Sequence, residues 1–149
     1  MLRAELRKSS THAGNLLTGL NDLICPDSRE GRFVTFFAGF IDTQKERVVF
    51  SNAGHPPLLV YRHHEDRIES YEALTMPLGI AEGIVYPAQN IQLLKGDILL
   101  IYTDGIHEAM NTSREEFGLE RLKEVFQRAH PHSSQRIIQD ILQSIDDFI

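Results

Sequence analysis

The chain is poor in several features that mark common protein classes. It has a single cysteine, Cys25, which rules out an internal disulfide and fits a reducing compartment. Its longest strictly apolar stretch is Ile98-Leu99-Leu100-Ile101, whereas a membrane-spanning helix needs roughly 20 such residues. Met1 to Lys8 carries a charge every few residues and has no apolar centre, so no signal peptide is expected there and a cytoplasmic location is. Basic charge is in deficit as well: the formal net charge is −6 and the pI is about 5.6. That balance argues against nucleic acid as the main partner. The chain also contains no GxxxxGK[ST], no GxGxxG opening a helix, no GxSxG and no HExxH, which weighs against the nucleotide-cradling and serine-hydrolase classes.

What is present is the composition of one globular domain. Of 149 residues, 42% are hydrophobic and 24% charged, enough for one sizeable core. From Leu2 to Ile24 the apolar residues Leu6, Ala13, Leu16, Leu17, Leu20 and Leu23 recur every three or four positions, which predicts an amphipathic helix. Cys25 to Arg32 is rich in turn formers and ends it. Phe33 to Asp42, dense in aromatic and β-branched residues, reads as a strand buried on both faces. A polar connector, Thr43 to Glu46, joins it to the strand Arg47 to Asn52 as an antiparallel hairpin. A kink at Ala53-Gly54-His55-Pro56-Pro57 leads to a third strand, Leu58 to Arg62, and Arg67 to Tyr71 adds a fourth. Leu74 to Pro87 is a loop, and Asn90 to Leu94 alternates like another strand. Ile98 to Thr103 is expected to be the most deeply buried strand of all. Two helices follow, Phe117 to Ala129 and one capped by Ser133 and Ser134, whose apolar stripe is Ile137, Ile138, Ile141, Leu142, Ile145 and Phe148. The order is an α+β arrangement of mostly antiparallel strands.

Chemistry-bearing residues are few. Asp104 follows an apolar run that implies burial, and a buried carboxylate needs a cation, donors or neutralisation. Gly105 would let the backbone come close to whatever Asp104 binds, through its carbonyl or an unusual φ. A strand-end Asp-Gly is, on those two residues alone, more often a plain turn. Asn52 and His55 either present polar groups at a strand end or bond to backbone to hold a Gly-Pro corner. His63-His64 and His130-Pro131-His132 match no i, i+4 ligand pair and read as solvated loop residues. Glu108 either shares a face with Asp104 or balances a helix start, and Asp146-Asp147 read as a solvated helix face.

Taken together, the residues resemble a known family. The series Arg32-Phe33-Val34-Thr35, Asn52-Ala53-Gly54-His55-Pro56-Pro57, Pro77-Leu78-Gly79-Ile80, Gly96 to Ala109 and Glu116-Phe117-Gly118 is similar to the SpoIIE/RsbU-type branch of the PPM metal-dependent Ser/Thr protein phosphatases. The resemblance implies a partial PPM-phosphatase β-sandwich flanked by helices, covering residues 1–149. It implies a site with two Mn²⁺ or Mg²⁺ ions that activate a bridging water to attack phosphoserine or phosphothreonine. Asp104, with Gly105, falls on the family's metal-binding Thr-Asp-Gly motif, and His107 stands where the family usually has threonine or another small residue. The family's N-terminal Gly-Asp and Asp-Val-x-Gly-Lys-Gly strands and its C-terminal Asp-Asp-x-Thr strand have no counterpart here. The expected partner is a phosphorylated, anti-anti-sigma-like regulator in bacterial stress or sporulation-type signalling, with an upstream sensor domain or self-association as further expectations. The alternative is a catalytically inactive remnant that only binds such a partner.

Overall fold

A computed structural model describes residues 12–27 and 31–149. The first half of the expected N-terminal helix, Leu2 to Thr11, lies outside them. The elements in chain order are α1 (His12–Ile24), a 3-10 turn (Cys25–Asp27), β1 (Phe36–Asp42), β2 (Arg47–Ala53), β3 (Leu58–Arg62), β4 (Arg67–Tyr71), β5 (Gln89–Gln92), β6 (Ile98–Leu100), α2 (Asp104–His107), α3 (Leu119–Ala129) and α4 (Ser134–Asp146). The class is α+β, as expected. The chain divides into two compact units, residues 1–55 with 72–93 and residues 56–71 with 94–149.

In the first unit a three-stranded antiparallel sheet has the order β1-β2-β5. Its central strand β2 has neighbours on both sides and is buried from Val48 to Ala53. Leu17 of α1 packs with Ala53, Leu78 and Tyr86 in a small core, with Leu16, Leu20 and Ile24 around it. The loop from Leu74 to Pro87 is tied to α1 by one polar side chain. Asn21, fully buried, donates from Nδ2 to the Ala81 carbonyl at 2.9 Å and accepts at Oδ1 from the Gly79 N–H at 3.0 Å. The Tyr86 N–H bonds to Thr18 Oγ1 at 3.1 Å.

β1 corrects an expectation. Its composition reads as a strand buried on both faces, yet Phe36 and Ile41 are 36% and 62% exposed. The reason is its position: among the described residues β1 pairs with β2 alone, so one edge has no neighbour. Aromatic density marks strand propensity and says nothing of where in the sheet a strand lies.

The second unit has the sheet order β4-β3-β6, again antiparallel. Here the core is larger: Leu59, Tyr61, Tyr102, Phe117, Leu122 and Phe126 are buried together, with Ile137, Ile141 and Ile145 from α4. Ser133 caps α4 as expected, its Oγ accepting from the Arg136 N–H at 3.4 Å. The stripe on α4 is narrower than its sequence suggests, because Ile138 and Leu142 are about half exposed. With Leu100, Ile101 and Ile106 they line an open apolar groove of about 280 Å³. The Ile98–Thr103 strand is likewise shorter and shallower than expected. β6 has only three residues, all half-buried, and Ile101 is 53% exposed. Ladder pairing with β3 stops at Leu100, opposite Leu59, so Ile101 and Thr103 lie beyond the sheet.

Candidate functional site

Because β6 ends early, the segment after it emerges onto the surface. Tyr102 turns into the core, Thr103 is extended, and Asp104 opens α2, a single helical turn. The Ile106 N–H bonds to the Thr103 carbonyl at 3.0 Å and the Glu108 N–H to the Asp104 carbonyl at 2.9 Å. Asp104 is exposed, not buried. The inference that burial forces it to find a cation therefore does not hold. Its Oδ1 accepts from the Gly105 N–H at 2.9 Å, and its other oxygen faces no donor among the described residues. Gly105 is helical and has no unusual φ, and where its Cβ would stand there is open space.

The neighbours of Asp104 are as informative. Glu108 is exposed and stands at the C-terminal cap of α2, so it cannot balance a helix start. His107 has its ring edge-on to Tyr102, centroids 5.7 Å apart, and its Nδ1 is buried without a hydrogen-bond partner among the described residues. Directly after α2 the chain forms a small hairpin. The Gly118 N–H bonds to the His107 carbonyl at 2.8 Å and the Phe117 N–H to the Ala109 carbonyl at 2.7 Å. Met110 pairs with Glu116, and buried Phe117 roots the hairpin in the core.

Asn52 does what the corner reading expects. Its Nδ2 donates to the His55 carbonyl at 3.0 Å and its Oδ1 accepts from the His55 N–H at 2.8 Å. Gly54, at φ 64°, lies so close to the Pro77 ring that a Cβ would stand 2.4 Å from Cγ. The corner is thus a fixed piece of scaffold. His63 and His64 are exposed, as expected, and so is His132. His130 is not simply solvated: it stacks on Tyr61 with centroids 4.2 Å apart, and its Nδ1 lies 2.6 Å from the Gln127 carbonyl. Asp146 and Asp147 are exposed. Cys25 is half-buried with its thiol 3.5 Å from Asn21 Oδ1, which makes it part of the helix–loop packing.

Sequence reasoning missed the strongest electrostatic cluster. Arg62, at the end of β3, donates from Nε to Glu69 at 2.6 Å, from Nη1 to Asp97 at 2.8 Å and from Nη2 to the Tyr71 hydroxyl at 3.1 Å. Asp97, with 1% of its side chain exposed, also accepts from the backbone N–H groups of Leu94 and His63. Burial alone would raise the Asp97 carboxyl, but the Leu94 N–H, the Arg62 guanidinium and the His63 N–H outweigh it and hold the group below the usual carboxylate range. Glu69 is likewise depressed: Tyr71 and Arg62 overcome the effect of its burial. The cluster ties the end of β3 to the Lys95–Asp97 turn that leads into β6, and its charged groups are engaged with one another. Gly96, at φ 96°, makes room for the His63 ring in that turn. In sequence Asp97 is visible only as part of a Gly-Asp turn, and its partners lie 35 and 34 residues away.

No group of three or more His, Cys, Asp or Glu side chains that could hold a metal ion occurs among the described residues. Asp104 offers one carboxylate, and a hard divalent ion takes about six oxygens. The residues present therefore do not make a complete ion site. No helix among the described residues is long and apolar enough to cross a membrane.

Antiparallel sheets with flanking helices are shared with the PP2C class of phosphatase folds, to which solved structures liken this chain. The chain superposes with a TM-score of 0.73 and 19% identity on the PP2C phosphatase domain and regulatory fragment of SpoIIE from Bacillus subtilis, covering 99% of this chain and 42% of that one. For the RsbU and RsbW domains of Rv1364c from Mycobacterium tuberculosis the TM-score is 0.67 at 20% identity, over 97% of this chain and 38% of that one. The family described as Stage II sporulation protein E (SpoIIE) matches residues 1–149, and the chain belongs to it. A curated relative, the phosphoserine phosphatase RsbU of Bacillus subtilis (strain 168), is 27% identical over 143 residues, 94% of this chain. The chain spans 42% of that relative's length.

Proposed function

We propose that this chain takes part in the metal-dependent hydrolysis of phosphoserine or phosphothreonine on a regulatory protein. The observation that carries the reading is the family match over the full chain, combined with an exposed Asp104 that keeps one carboxylate oxygen uncommitted. Asp104, with the Gly105 backbone beside it, is the ligand this chain offers to Mn²⁺ or Mg²⁺. The remaining ligands of a two-ion site belong to family segments that residues 1–149 do not contain. The partner in this reading is a phosphorylated regulator of the anti-anti-sigma type in the cytoplasm, a view supported by likeness to a chain that joins RsbU and RsbW domains.

The test is Mn²⁺-dependent release of phosphate from a phosphoserine peptide by the purified chain. Hydrolysis that Asp104→Asn abolishes supports the reading. A folded chain whose Mn²⁺ binding is not weakened by Asp104→Asn sinks it, with or without turnover, because the other ligands are lacking among the described residues. The lack of a three-ligand group among the described residues favours a second reading, a partner-binding module without catalysis. Measurable hydrolysis by the wild-type chain would exclude that one.

A further inference from the structure

Three described residues other than glycine have a left-handed φ: Glu46 at 47°, Asp66 at 48° and Arg114 at 63°. That region strains any residue with a Cβ, and Asn and Asp bear it best. Asp66 is of the tolerant type, and its carboxylate accepts from the Tyr61 hydroxyl at 2.9 Å. Glu46 closes the β1–β2 hairpin, and its carbonyl takes the Leu93 N–H at 2.7 Å. Arg114 has no such account.

Its turn is built by Asn111 instead. Asn111 Oδ1 accepts from the N–H groups of Ser113 and Glu115, each at 2.9 Å, and Nδ2 donates to the Glu115 carboxylate at 2.9 Å. The Asn111 carbonyl takes the Arg114 N–H, also at 2.9 Å. Glycine would complete this turn with less strain, because only the backbone of position 114 is used. The guanidinium is exposed and has no hydrogen bond or ion pair among the described residues. A cation therefore stands exposed on a hydrogen-bonded turn, at a conformational cost, with no partner among the described residues. An outlier of this kind points outward, to a ligand.

The tip belongs to the hairpin that grows directly from α2, whose first residue is Asp104. At about 3.3 Å per residue, the paired stretch from Ala109 to Asn111 carries the turn roughly 7 Å away from α2, the length of about two residues of an extended peptide. We propose that Arg114 is a specificity-determining residue that pairs with an acidic side chain flanking the phosphorylated residue of the protein substrate. Arginine suits this task, since its planar fork meets a carboxylate with two parallel N–H donors. The inference rests on the phosphatase reading for the nature of the substrate, and on the strained turn for the residue.

Binding separates the two. Two fluorescent phosphoserine peptides, one with glutamates and one with glutamines around the phosphoserine, are titrated by anisotropy at low salt into the full chain. The wild type is expected to favour the glutamate peptide several-fold. Arg114→Gly should erase that preference while leaving Tm unchanged or raised, and Arg114→Lys should keep part of it. Equal titration curves for the two wild-type peptides, flat ones included, overturn the proposal. So does a preference that survives in Arg114→Gly, or a Tm lowered by that change, which would make the arginine structural. A preference lost in Arg114→Gly upholds Arg114 even where the chain releases nothing from 4-nitrophenyl phosphate with Mn²⁺, because the other ligands that turnover needs are lacking among the described residues.

Discussion

The two units of this chain bury their strands by different means. In the second, β3 lies at the centre of its sheet and two long helices, α3 and α4, complete a core of large side chains. Its polar groups are drawn into a closed network around Arg62. In the first, one helix and a loop cover the sheet, the cluster of Leu17, Ala53, Leu78 and Tyr86 is smaller, and Phe33, Ile41, Leu74 and Val85 remain largely exposed. The loop is held by hydrogen bonds to Asn21 and Thr18 as well as by the buried side chains of Leu78 and Tyr86. The difference teaches that cohesion is unevenly distributed: one unit rests on a larger apolar cluster, the other on a smaller one braced by polar tethers.

That contrast can be broken most directly in the second core. Phe126 is fully buried and meets Tyr61 edge-on at 6.5 Å, so Phe126→Ala should cost about 4 kcal/mol by thermal or urea unfolding. A loss below about 1 kcal/mol would mean that the helical core is not what holds this unit. Removing Asp97 leaves Arg62 and two backbone donors short of an acceptor, and Asp97→Ala is expected to cost about 3 kcal/mol.

The same carboxylate sets a pH dependence. Its folded pKa is depressed, so the stability it contributes is complete above its unfolded value, about 3.9, and is lost as pH falls through the folded value. Urea midpoints should therefore fall more steeply below about pH 4 in the wild type than in Asp97→Asn. Parallel acid limbs would show that the network does not act through this proton.

In the first unit Asn21→Ala should cost about 2 kcal/mol and raise hydrogen exchange at Gly79 more than in β2. Uniform acceleration across the unit would mean that the loop is not a separate tether. The smallest effect is expected at Asp104, which is exposed and bonds only its neighbour's N–H. Asp104→Asn should change stability by less than about 0.5 kcal/mol, while abolishing any Mn²⁺-dependent turnover. A large loss of stability would make Asp104 a structural residue.

Much of the fold is readable from sequence because periodicity and turn chemistry are local. The β1–β2 hairpin, the Asn52 corner and the Ser133 cap each depend on residues within a few positions of one another. Exposure is harder to read, since it depends on what another part of the chain brings to a given face. Phe33 to Asp42 looks like an interior strand by composition, yet β1 occupies an edge. Ile98 to Thr103 looks like a buried strand, yet its pairing stops at Leu100 and lets Asp104 reach the surface. Asn21 lies on the helix among Leu17, Leu20 and Ile24, and only the arrival of Gly79 and Ala81 explains a buried amide there. The candidate site itself is legible through motif order, whereas the burial expected of its carboxylate does not occur.

The open edge of β1 also has a colloidal consequence. A strand bearing Phe36 and Ile41 whose outer edge has no neighbour among the described residues is a template for other strands, and such edges are ordinarily guarded by nearby charge. Here the guards are Asp42, Lys45, Glu46 and Arg47 at one end, with the net charge of −6 acting at longer range. Salt shortens that reach to about 3 Å at 1 M ionic strength. Concentrated solutions of the chain should therefore stay clear at low salt and turn turbid as salt is added, the reverse of a protein whose association is driven by opposite charges.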